Sequence, residues 1–315
     1  MIVTIAGGVG AARFLSGLVQ VAEAAECVAV VTVADDVVLH GLAVSPDLDT
    51  VTYTLAGEID PDRGWGLRDE SWQAMATVRR YGGISWFNLG DRDLGTHLYR
   101  THRLREGATL TEVTAEIVRA WNLELAVLPV TDDRVETRVE LRDGDAETPA
   151  GGEVNFQEYF VKRHHGVAIS AVRFAGAEAA RPAPGVLDAL ATADIIVIAP
   201  SNPIVSIGPV LAVPGVRDAL AARRDRCVAI SPIVGGVALK GPADRMLVEL
   251  GHESSVVGVA RLYRDLACVL VIDHADAALA GAVEAAGMRC VVTDTIMKSP
   301  ERAAALARTT IGVHA

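Results

Sequence analysis

The chain has 315 residues, of which half are hydrophobic and 22% are charged, and its formal net charge is −11. This length supplies enough apolar material for one large α/β domain or two smaller domains. The acidic balance and the lack of any Lys/Arg run exclude a nucleic-acid partner. No apolar stretch approaches the roughly 20 residues that span a bilayer, so the sequence predicts a cytoplasmic protein with no membrane partner.

The four cysteines lie far apart and form no CxxC pair; they are Cys27, Cys227, Cys268 and Cys290. Each lies within or beside a run rich in Val, Ile and Ala. An isolated cysteine in such a run behaves as a small hydrophobic residue. We therefore expect four reduced core cysteines and no zinc site.

The start of the chain has the pattern of a βαβ unit. Residues 2–6 form a short apolar run, residues 11–24 have the spacing of an amphipathic helix, and residues 28–33 form a second apolar run. Helical periodicity then extends over residues 69–122, with a capping-box pattern in residues 109–112.

Strand and helix patterns alternate again after Val167. Helix-length segments separate four more apolar runs, at residues 195–199, 227–231, 269–272 and 290–293. This alternation is typical of a parallel sheet with helices on both faces. The sequence therefore predicts an α/β, Rossmann-like fold. Residues 1–58 and 165–315 would form a nucleotide-binding domain, interrupted by a mostly helical insertion over residues 59–164.

A glycine-rich turn follows the first strand and contains Gly7, Gly8 and Gly10, with Arg13 shortly after it. Such a turn at the start of a helix leaves backbone N–H groups free to hold phosphate oxygens. It is not the dinucleotide fingerprint, because the third glycine is absent, and no Walker A lysine follows. We assign these four residues to nucleotide binding; a turn required only for packing is the alternative.

Two later strands also end in loops rich in turn residues. Ser201, Asn202 and Pro203 follow the run at 195–199, and the segment Ser231 to Gly236, with Gly235 and Gly236 at its end, follows the run at 227–231. In an open α/β sheet the ligand lies at the carboxyl ends of the strands. The three loops together therefore predict a nucleotide pocket.

Four aspartates follow the second strand, namely Asp35, Asp36, Asp47 and Asp49. Asp47 and Asp49 are two residues apart, which places both carboxylates on one side of the chain if the segment is extended. Carboxylates beside bound phosphates need a divalent cation to offset the repulsion, so the pattern predicts Mg²⁺ held by Asp35, Asp47 and Asp49. The alternative for Asp49 is a helix N-cap.

Residues 86–93 combine aromatic rings, an amide and charged groups. We interpret them as a wall for a flat heteroaromatic ligand, with Trp86 or Phe87 stacking on it and Asn88 bonding to a ring edge. The alternative is a helix start, capped by one of the two aspartates in the segment.

From residue 2 to about residue 300 the chain resembles the 2-phospho-L-lactate transferase family, whose actinobacterial members are called phosphoenolpyruvate transferases. Seven segments carry the resemblance, in the order AGGVGAARF, ADD followed by GLAVSPDLDTVTYTLAG, RGWGLRDES, WFNLGDRDLGTHLYRT, FQEYFV, APSNPIVSIGP and SPIVGGVALKGPA. Family members often have Gly before the aspartate pair and Lys where Asn88 stands, whereas this chain has Ala34 and Asn88.

The resemblance implies a step in the biosynthesis of coenzyme F-420. A guanosine-diphosphate-activated phosphoenolpyruvate or phospholactate would be transferred to the deazariboflavin Fo, with release of GMP. Asp49 would be catalytic and would contact Fo together with Asn88 and Trp86. The helical insertion would thus contribute to the Fo site. The glycine turn and the two later loops would hold the guanine nucleotide.

The implied partners are these small-molecule substrates and a second copy of the chain in a homodimer. Two other classes of protein stay open at this point. An NAD- or nucleotide-sugar-dependent Rossmann enzyme would explain the first βαβ unit but not the PDLDT segment. A non-catalytic guanine-nucleotide-binding protein would bind nucleotide without turnover.

Overall fold

The computed structural model describes residues 1–313, so the last two residues of the predicted range 165–315 lie outside the described part. The strands are β1 Ile2–Ala6, β2 Cys27–Val31, β3 Val37–Leu39, β4 Leu42–Val44, β5 Ala126–Pro129, β6 Glu136–Leu141, β7 Glu153–Asn155, β8 Ile169–Ala175, β9 Ile195–Ile198, β10 Cys227–Ile230, β11 Ile233–Val234, β12 Val237–Ala238, β13 Val269–Asp273 and β14 Arg289–Thr293.

The α-helices are α1 Gly8–Leu18, α2 Pro46–Leu55, α3 Gln73–Arg80, α4 Asp93–Arg105, α5 Leu110–Ala120, α6 Val186–Thr192, α7 Gly208–Ala212, α8 Val216–Ala222, α9 Ala243–Glu249, α10 Val256–Tyr263, α11 Ala280–Ala285 and α12 Pro300–Gly312. Within residues 1–313 no single helix is both long and apolar enough to cross a membrane. Pro203–Ala212 and Val216–Ala222, with a bend of 95° between them, meet that criterion only as a pair.

Seven parallel strands form the main sheet, in the order β14-β13-β10-β9-β1-β2-β5. From β1 the chain adds β2 and β5 on one side and β9, β10, β13 and β14 on the other. This is the doubly wound arrangement of an α/β protein, and its topological switch point lies between β1 and β9. The predicted α/β fold class is confirmed.

The sheet is the centre of the hydrophobic core. Residues 3–6 of β1 and all of β10 and β13 are buried, and most of them are Val, Ile, Leu or Ala. Strands that are covered on both faces read as continuous apolar runs instead of alternating ones, which is why the sequence pattern located them well. Helix α1 packs against α2 and α12, whereas α8 packs against α6 and α7.

The region between β2 and β9 holds what the sequence predicted as an insertion. The β3–β4 hairpin and helices α2 to α5 lie between β2 and β5, and β6 pairs with β7 and β8 in a small antiparallel sheet. Strand β5 belongs to the main sheet although it falls in the range 59–164. The division into residues 1–58 with 165–315 and residues 59–164 stays a prediction.

The helical periodicity over residues 69–122 divides into three helices, α3, α4 and α5. The capping box of α5 is present: Glu112 N–H donates to Thr109 Oγ1 over 3.2 Å, and Thr109 N–H donates to Glu112 Oε2 over 2.8 Å. Two acids cap the neighbouring helices from outside. The Asp91 carboxylate accepts the N–H groups of residues 73 and 74 at the start of α3, and the Glu70 carboxylate accepts those of residues 92 and 93 at the start of α4.

Substitution of Gly17 is expected to destabilise the packing of α1 on α12. A Cβ atom at this position would lie 2.3 Å from the carbonyl carbon of Ala303, a backbone atom that cannot rotate away. Gly17→Ala should lower the free energy of unfolding by about 1–3 kcal/mol, measured by urea denaturation. Gly281→Ala is the matched control because nothing lies within 4 Å of its added methyl group, and it should be neutral or stabilising. Equal effects in the two variants would contradict the packing argument.

Candidate active site

The glycine turn and the Ser201 loop meet at the switch point between β1 and β9. Ser201 Oγ donates a hydrogen bond to the carbonyl oxygen of Gly7 over 2.7 Å. A Cβ atom at Gly10 would lie 2.2 Å from the carbonyl oxygen of Pro200, so only glycine permits this approach. The two loops thus form one wall of the crevice in which α/β proteins bind their ligands.

The glycine turn also contacts the acidic segment. Gly8 has a φ of +70°, which favours glycine, and its N–H donates to Asp47 Oδ1. Helix α1 begins at Gly8, so the N–H groups of its first turn have no partner within the helix. The turn therefore presents free backbone donors next to a carboxylate.

The polar side chains in the two later loops mainly bind their own backbone. Asn202 Oδ1 accepts the N–H of Ile204 over 2.9 Å, which caps the short helical turn that starts at Pro203. Ser231 Oγ donates to the carbonyl oxygen of Ile233 and accepts its N–H. These side chains shape the loops, and the groups left for a ligand are mainly backbone atoms.

One acid and one hydroxyl that sequence reasoning missed, Asp276 and Ser254, hold the second of these loops. Gly235 N–H donates to Asp276 Oδ2 over 2.9 Å, and Ser254 Oγ donates to the carbonyl oxygen of Gly236 over 2.8 Å. Gly235 and Gly236 both have positive φ, which explains the glycine pair. No sequence signal connects Asp276 with a loop 41 residues earlier in the chain.

Two cations approach each other beside the first turns of α1. Burial and the nearby Arg13 guanidinium lower the pKa of Lys240. The Lys240 ammonium lies over Gly64, where a Cβ atom would be 2.8 Å from Nζ and 3.8 Å from Val9 Cγ1. Two neighbouring positive charges at this end of the sheet suit a phosphate-bearing ligand. Lys240 lies in the SPIVGGVALKGPA segment, but sequence reasoning did not assign it a role.

Three buried carboxylates form the acidic part of the site. Burial, together with repulsion from Asp47 and Asp36, raises the pKa of Asp35 well above its usual value. Burial raises the pKa of Asp36 as well, although Ser45 Oγ donates to its Oδ2 over 2.6 Å. Burial and repulsion from Asp49 raise the pKa of Asp47 to about 6, despite the hydrogen bond from Gly8.

Asp49 belongs to a separate buried network. Arg100, whose side chain is 2% exposed, binds the Asp49 carboxylate with both terminal nitrogens, and the Nη1–Oδ2 distance is 3.1 Å. His97 Nδ1 lies 3.3 Å from Arg100 Nη1. Burial lowers the pKa of Arg100, but the charge of Asp49 and the hydrogen bonds to the Asp49 carboxylate outweigh burial, so the pKa is raised.

The network continues to the far side of His97. His97 Nε2 lies 3.2 Å from Asp93 Oδ2, and Tyr53 donates to Asp93 Oδ1 over 2.7 Å. Burial raises the pKa of Asp93, but the nearby His97 side chain, the hydrogen bond from Tyr53 and the charge of Arg100 outweigh burial, so the pKa is lowered. Asp93, His97 and Arg100 are spaced i, i+4 and i+7 on one face of α4. That spacing was the available sequence signal.

The PDLDT segment is helical and not extended. Helix α2 begins at Pro46, and Asp47 and Asp49 both lie in its first turn. Residues two apart on a helix point in different directions. Asp47 therefore binds Gly8, whereas Asp49 binds Arg100. The shared side expected for an extended segment is wrong, and so is the alternative of Asp49 as N-cap, because the N-cap is Ser45.

The predicted aromatic wall lies just before α4. Trp86 and Phe87 are half-buried and pack edge to face with ring centroids 5.9 Å apart. Asn88 Oδ1 is buried and has no hydrogen-bond partner within the described residues. A buried acceptor without a partner costs free energy unless a ligand or water supplies a donor. The role of Trp86 and Asn88 toward a ligand stays a prediction.

Within residues 1–313, one group of acidic and histidine side chains has its ligand atoms close enough together to hold a metal ion. Asp49, Asp93 and His97 offer ligand atoms within 4.8 Å of one another, but Arg100 already neutralises Asp49 there. Asp35, Asp36 and Asp47 do not form such a group within that distance, but Asp35 Oδ1 and Asp36 Oδ1 are buried without a hydrogen-bond partner. A set of carboxylate oxygens suits Mg²⁺ better than a softer metal.

The doubly wound sheet, with a crevice at its switch point, defines an α/β protein, and comparisons with known proteins identify its class. Residues 2–310 match the family described as 2-phospho-L-lactate transferase CofD, and the chain belongs to this family. The chain is similar to the phosphoenolpyruvate transferase of Kitasatospora aureofaciens, with 45% identity covering 99% of this chain and 97% of that protein. It is 46% identical to the phosphoenolpyruvate transferase of Streptomyces griseus, covering 98% and 96%.

The protein is therefore a transferase of coenzyme F-420 biosynthesis. Among solved structures, two crystal structures of a UPF0052-family protein from Bacillus halodurans superpose on 98% of this chain and 98% of theirs. Their TM-scores are 0.63 and 0.65, and the sequence identities are 18% and 19%. This similarity supports the fold alone.

The acidic cluster predicts how stability depends on pH without metal. A folded-state pKa of about 6 for Asp47 lies above its unfolded value, so this group favours folding at low pH. That contribution is lost as pH rises through the folded value, and Asp35 and Asp36 act in the same direction. In EDTA the thermal midpoint should therefore fall between pH 5 and 7.5, by the equivalent of roughly 1–3 kcal/mol.

The matched control for this measurement is Asp47→Asn, which removes the ionisable group and keeps the side-chain shape. Its thermal midpoint should fall less over the same pH range. The raised pKa of Asp47 would be contradicted if the thermal midpoint of the wild type rose with pH. It would also be contradicted if the midpoints of the wild type and Asp47→Asn fell by the same amount.

Proposed function

We propose that the enzyme transfers a phosphoenolpyruvyl group from a guanosine-diphosphate-activated donor to the deazariboflavin Fo and releases GMP. Membership of the family over residues 2–310 carries this proposal, and the free backbone donors beside the Asp35–Asp36–Asp47 cluster support it. The names of the relatives favour the phosphoenolpyruvyl donor over the phospholactyl donor. The names of the relatives give no support to the two alternatives, an NAD- or nucleotide-sugar-dependent enzyme and a non-catalytic nucleotide-binding protein.

The donor would lie along the crevice between β1 and β9. The first turn of α1 after Gly8 would supply N–H donors to the diphosphate, and Arg13 would supply a positive charge. The loops at Ser201–Pro203 and Ser231–Gly236 would contact the nucleoside mainly through backbone atoms. The side chains of Ser201, Asn202 and Ser231 would keep those loops in shape, as their hydrogen bonds support.

The acceptor would bind with its ring system beside Trp86 and Asn88 and its ribityl chain directed toward Asp49. The unpartnered Asn88 Oδ1 would accept a hydrogen bond from a ring N–H. A carboxylate has about four lone-pair positions, so Asp49 can accept the hydroxyl hydrogen while it remains bound to Arg100.

In the reaction, the terminal hydroxyl oxygen of Fo forms a new bond to the phosphorus that carries the enolpyruvyl group. The bond from this phosphorus to the bridging oxygen breaks, GMP leaves, and the Asp49 carboxylate takes the hydroxyl proton. Mg²⁺, held by Asp35 and Asp47 with Asp49 nearby, would neutralise charge on the diphosphate. The protein contributes mainly by positioning, which can lower the barrier by several kcal/mol.

A cytoplasmic location and a homodimer stay predictions.

The reaction is tested by incubating the protein with Fo, Mg²⁺ and both activated donors in competition, and by identifying the products with mass spectrometry. GMP and the enolpyruvyl adduct of Fo should form in equal amounts. The adduct should be lighter than the lactyl adduct by the mass of two hydrogens. Faster transfer from the lactyl donor would overturn the donor assignment, and the absence of any Fo adduct would overturn the proposed reaction.

Removal of metal should abolish transfer. Like charges about 4 Å apart repel by roughly 4 kcal/mol at an effective dielectric constant near 20, and a diphosphate beside Asp35 and Asp47 meets this repulsion. EDTA should stop product formation and Mg²⁺ should restore it. Asp47→Asn should raise the Mg²⁺ concentration for half-maximal activity at least about tenfold, whereas the exposed Asp218→Asn should not. Full activity in excess chelator would show that arginines and backbone amides suffice.

A further inference from the structure

Helices α2 and α4 contact each other through a chain of buried polar side chains. The chain runs from Tyr53 to Asp93, His97, Arg100 and finally Asp49. Asp49 and Tyr53 lie on α2, whereas the other three lie on α4. Nothing in the comparisons or in the sequence analysis assigns a role to Arg100.

The contact between Arg100 and Asp49 has a fixed geometry. Both terminal guanidinium nitrogens bind the carboxylate, one on each oxygen, and the Arg100 side chain is 2% exposed. A planar fork that meets both carboxylate oxygens restricts rotation of the carboxylate, which a single point charge does not.

Arg100 is itself held in place by its neighbours. Its Nη1 lies 3.3 Å from His97 Nδ1 and 3.4 Å from the carbonyl oxygen of Ala43. The other ring nitrogen of His97 faces Asp93. A guanidinium group has only donors, so in this contact Arg100 donates and His97 Nδ1 accepts. The side chain is thus oriented from two sides before it reaches Asp49.

We propose that Arg100 is a positioning residue, which holds the Asp49 carboxylate in the orientation that receives the acceptor hydroxyl. This inference rests on the proposed function, in which Asp49 contacts Fo. A buried ion pair can often be replaced by apolar side chains without loss of stability, so packing alone does not require one here. Control of a carboxylate at the reacting hydroxyl does require it, because small displacements of a catalytic group reduce turnover strongly.

A double-mutant cycle between the two residues tests the proposal. Asp49→Asn should lower kcat at least about 10²-fold, and Arg100→Gln should lower it about 10-fold to 10²-fold, with KM for Fo changed less than about threefold. Because Arg100 acts through Asp49, the kcat of the double variant should lie within about threefold of the kcat of Asp49→Asn. Arg100→Lys should recover only part of the lost kcat, since lysine keeps the charge but not the fork.

Arg103→Gln is the matched control. Arg103 also lies on α4 and forms ion pairs with Glu106 and Glu116, but its side chain is 30% exposed and does not touch Asp49. Its kcat should equal that of the wild type. Two results would overturn the proposal. One is that Arg100→Gln lowers kcat as much in the Asp49→Asn background as it does in the wild-type background. The other is that Arg100→Gln alone has the kcat of the wild type.

Crystal structures of Arg100→Gln and Arg100→Lys give a readout that does not depend on turnover. The Asp49 carboxylate should change its side-chain rotamer, or become disordered, in the glutamine variant and less so in the lysine variant. An unchanged, ordered Asp49 in Arg100→Gln would also overturn the proposal. If the wild-type protein makes no Fo adduct, the proposed function fails, while the crystal structures still decide whether Arg100 positions Asp49. If Arg100→Gln does not fold, Arg100→Lys supplies both the kinetic and the crystallographic arm.

Discussion

The buried ion pair between Arg100 and Asp49 is the constraint on which the arrangement of the site depends. It connects the first turn of α2 to the middle of α4, so the two helices cannot shift relative to each other without leaving a charge unpaired inside the protein. Loss of one partner from a buried pair typically costs 3–5 kcal/mol. Because Asp47 lies on the same turn of α2, this pair also determines where the acidic cluster meets Gly8 and the start of α1.

The acids of the site thus divide into two groups with different electrostatic environments. Asp49 and Asp93 have a cation or hydrogen-bond donors inside the protein, whereas Asp36 and Asp47 each accept one hydrogen bond, and Asp35 Oδ1 and Asp36 Oδ1 have no partner. Burial and mutual repulsion raise the pKa of the second group, so these acids are the ones that a cation would stabilise most. The cluster lies beside Gly8 at the start of α1, and this position is the reason that the proposed function places a metal there.

Polar residues in the loops around the crevice mostly serve the loops themselves. The hydroxyl groups of Ser201 and Ser231 and the amide of Asn202 bind nearby backbone atoms, and Asp276 holds Gly235 from another strand's loop. The groups that remain for a ligand are therefore largely backbone atoms, supplemented by the side chains of Arg13 and Lys240. Backbone donors in rigid loops suit phosphate groups because they need no reorganisation when the ligand arrives.

The sequence alone determined six of the seven strands of the main sheet and the position of the loops, because strands buried on both faces are continuous apolar runs and because turns demand glycine; β5 was not predicted. The family resemblance in the PDLDT and SPIVGGVALKGPA segments was also readable without coordinates, and the family match confirms it. Only the tertiary structure decided which way each acid faces. Helical geometry separates Asp47 from Asp49, and the pairing of α2 with α4 brings Arg100 to a carboxylate 51 residues away. Such partners depend on how helices pack in space, which no local pattern encodes.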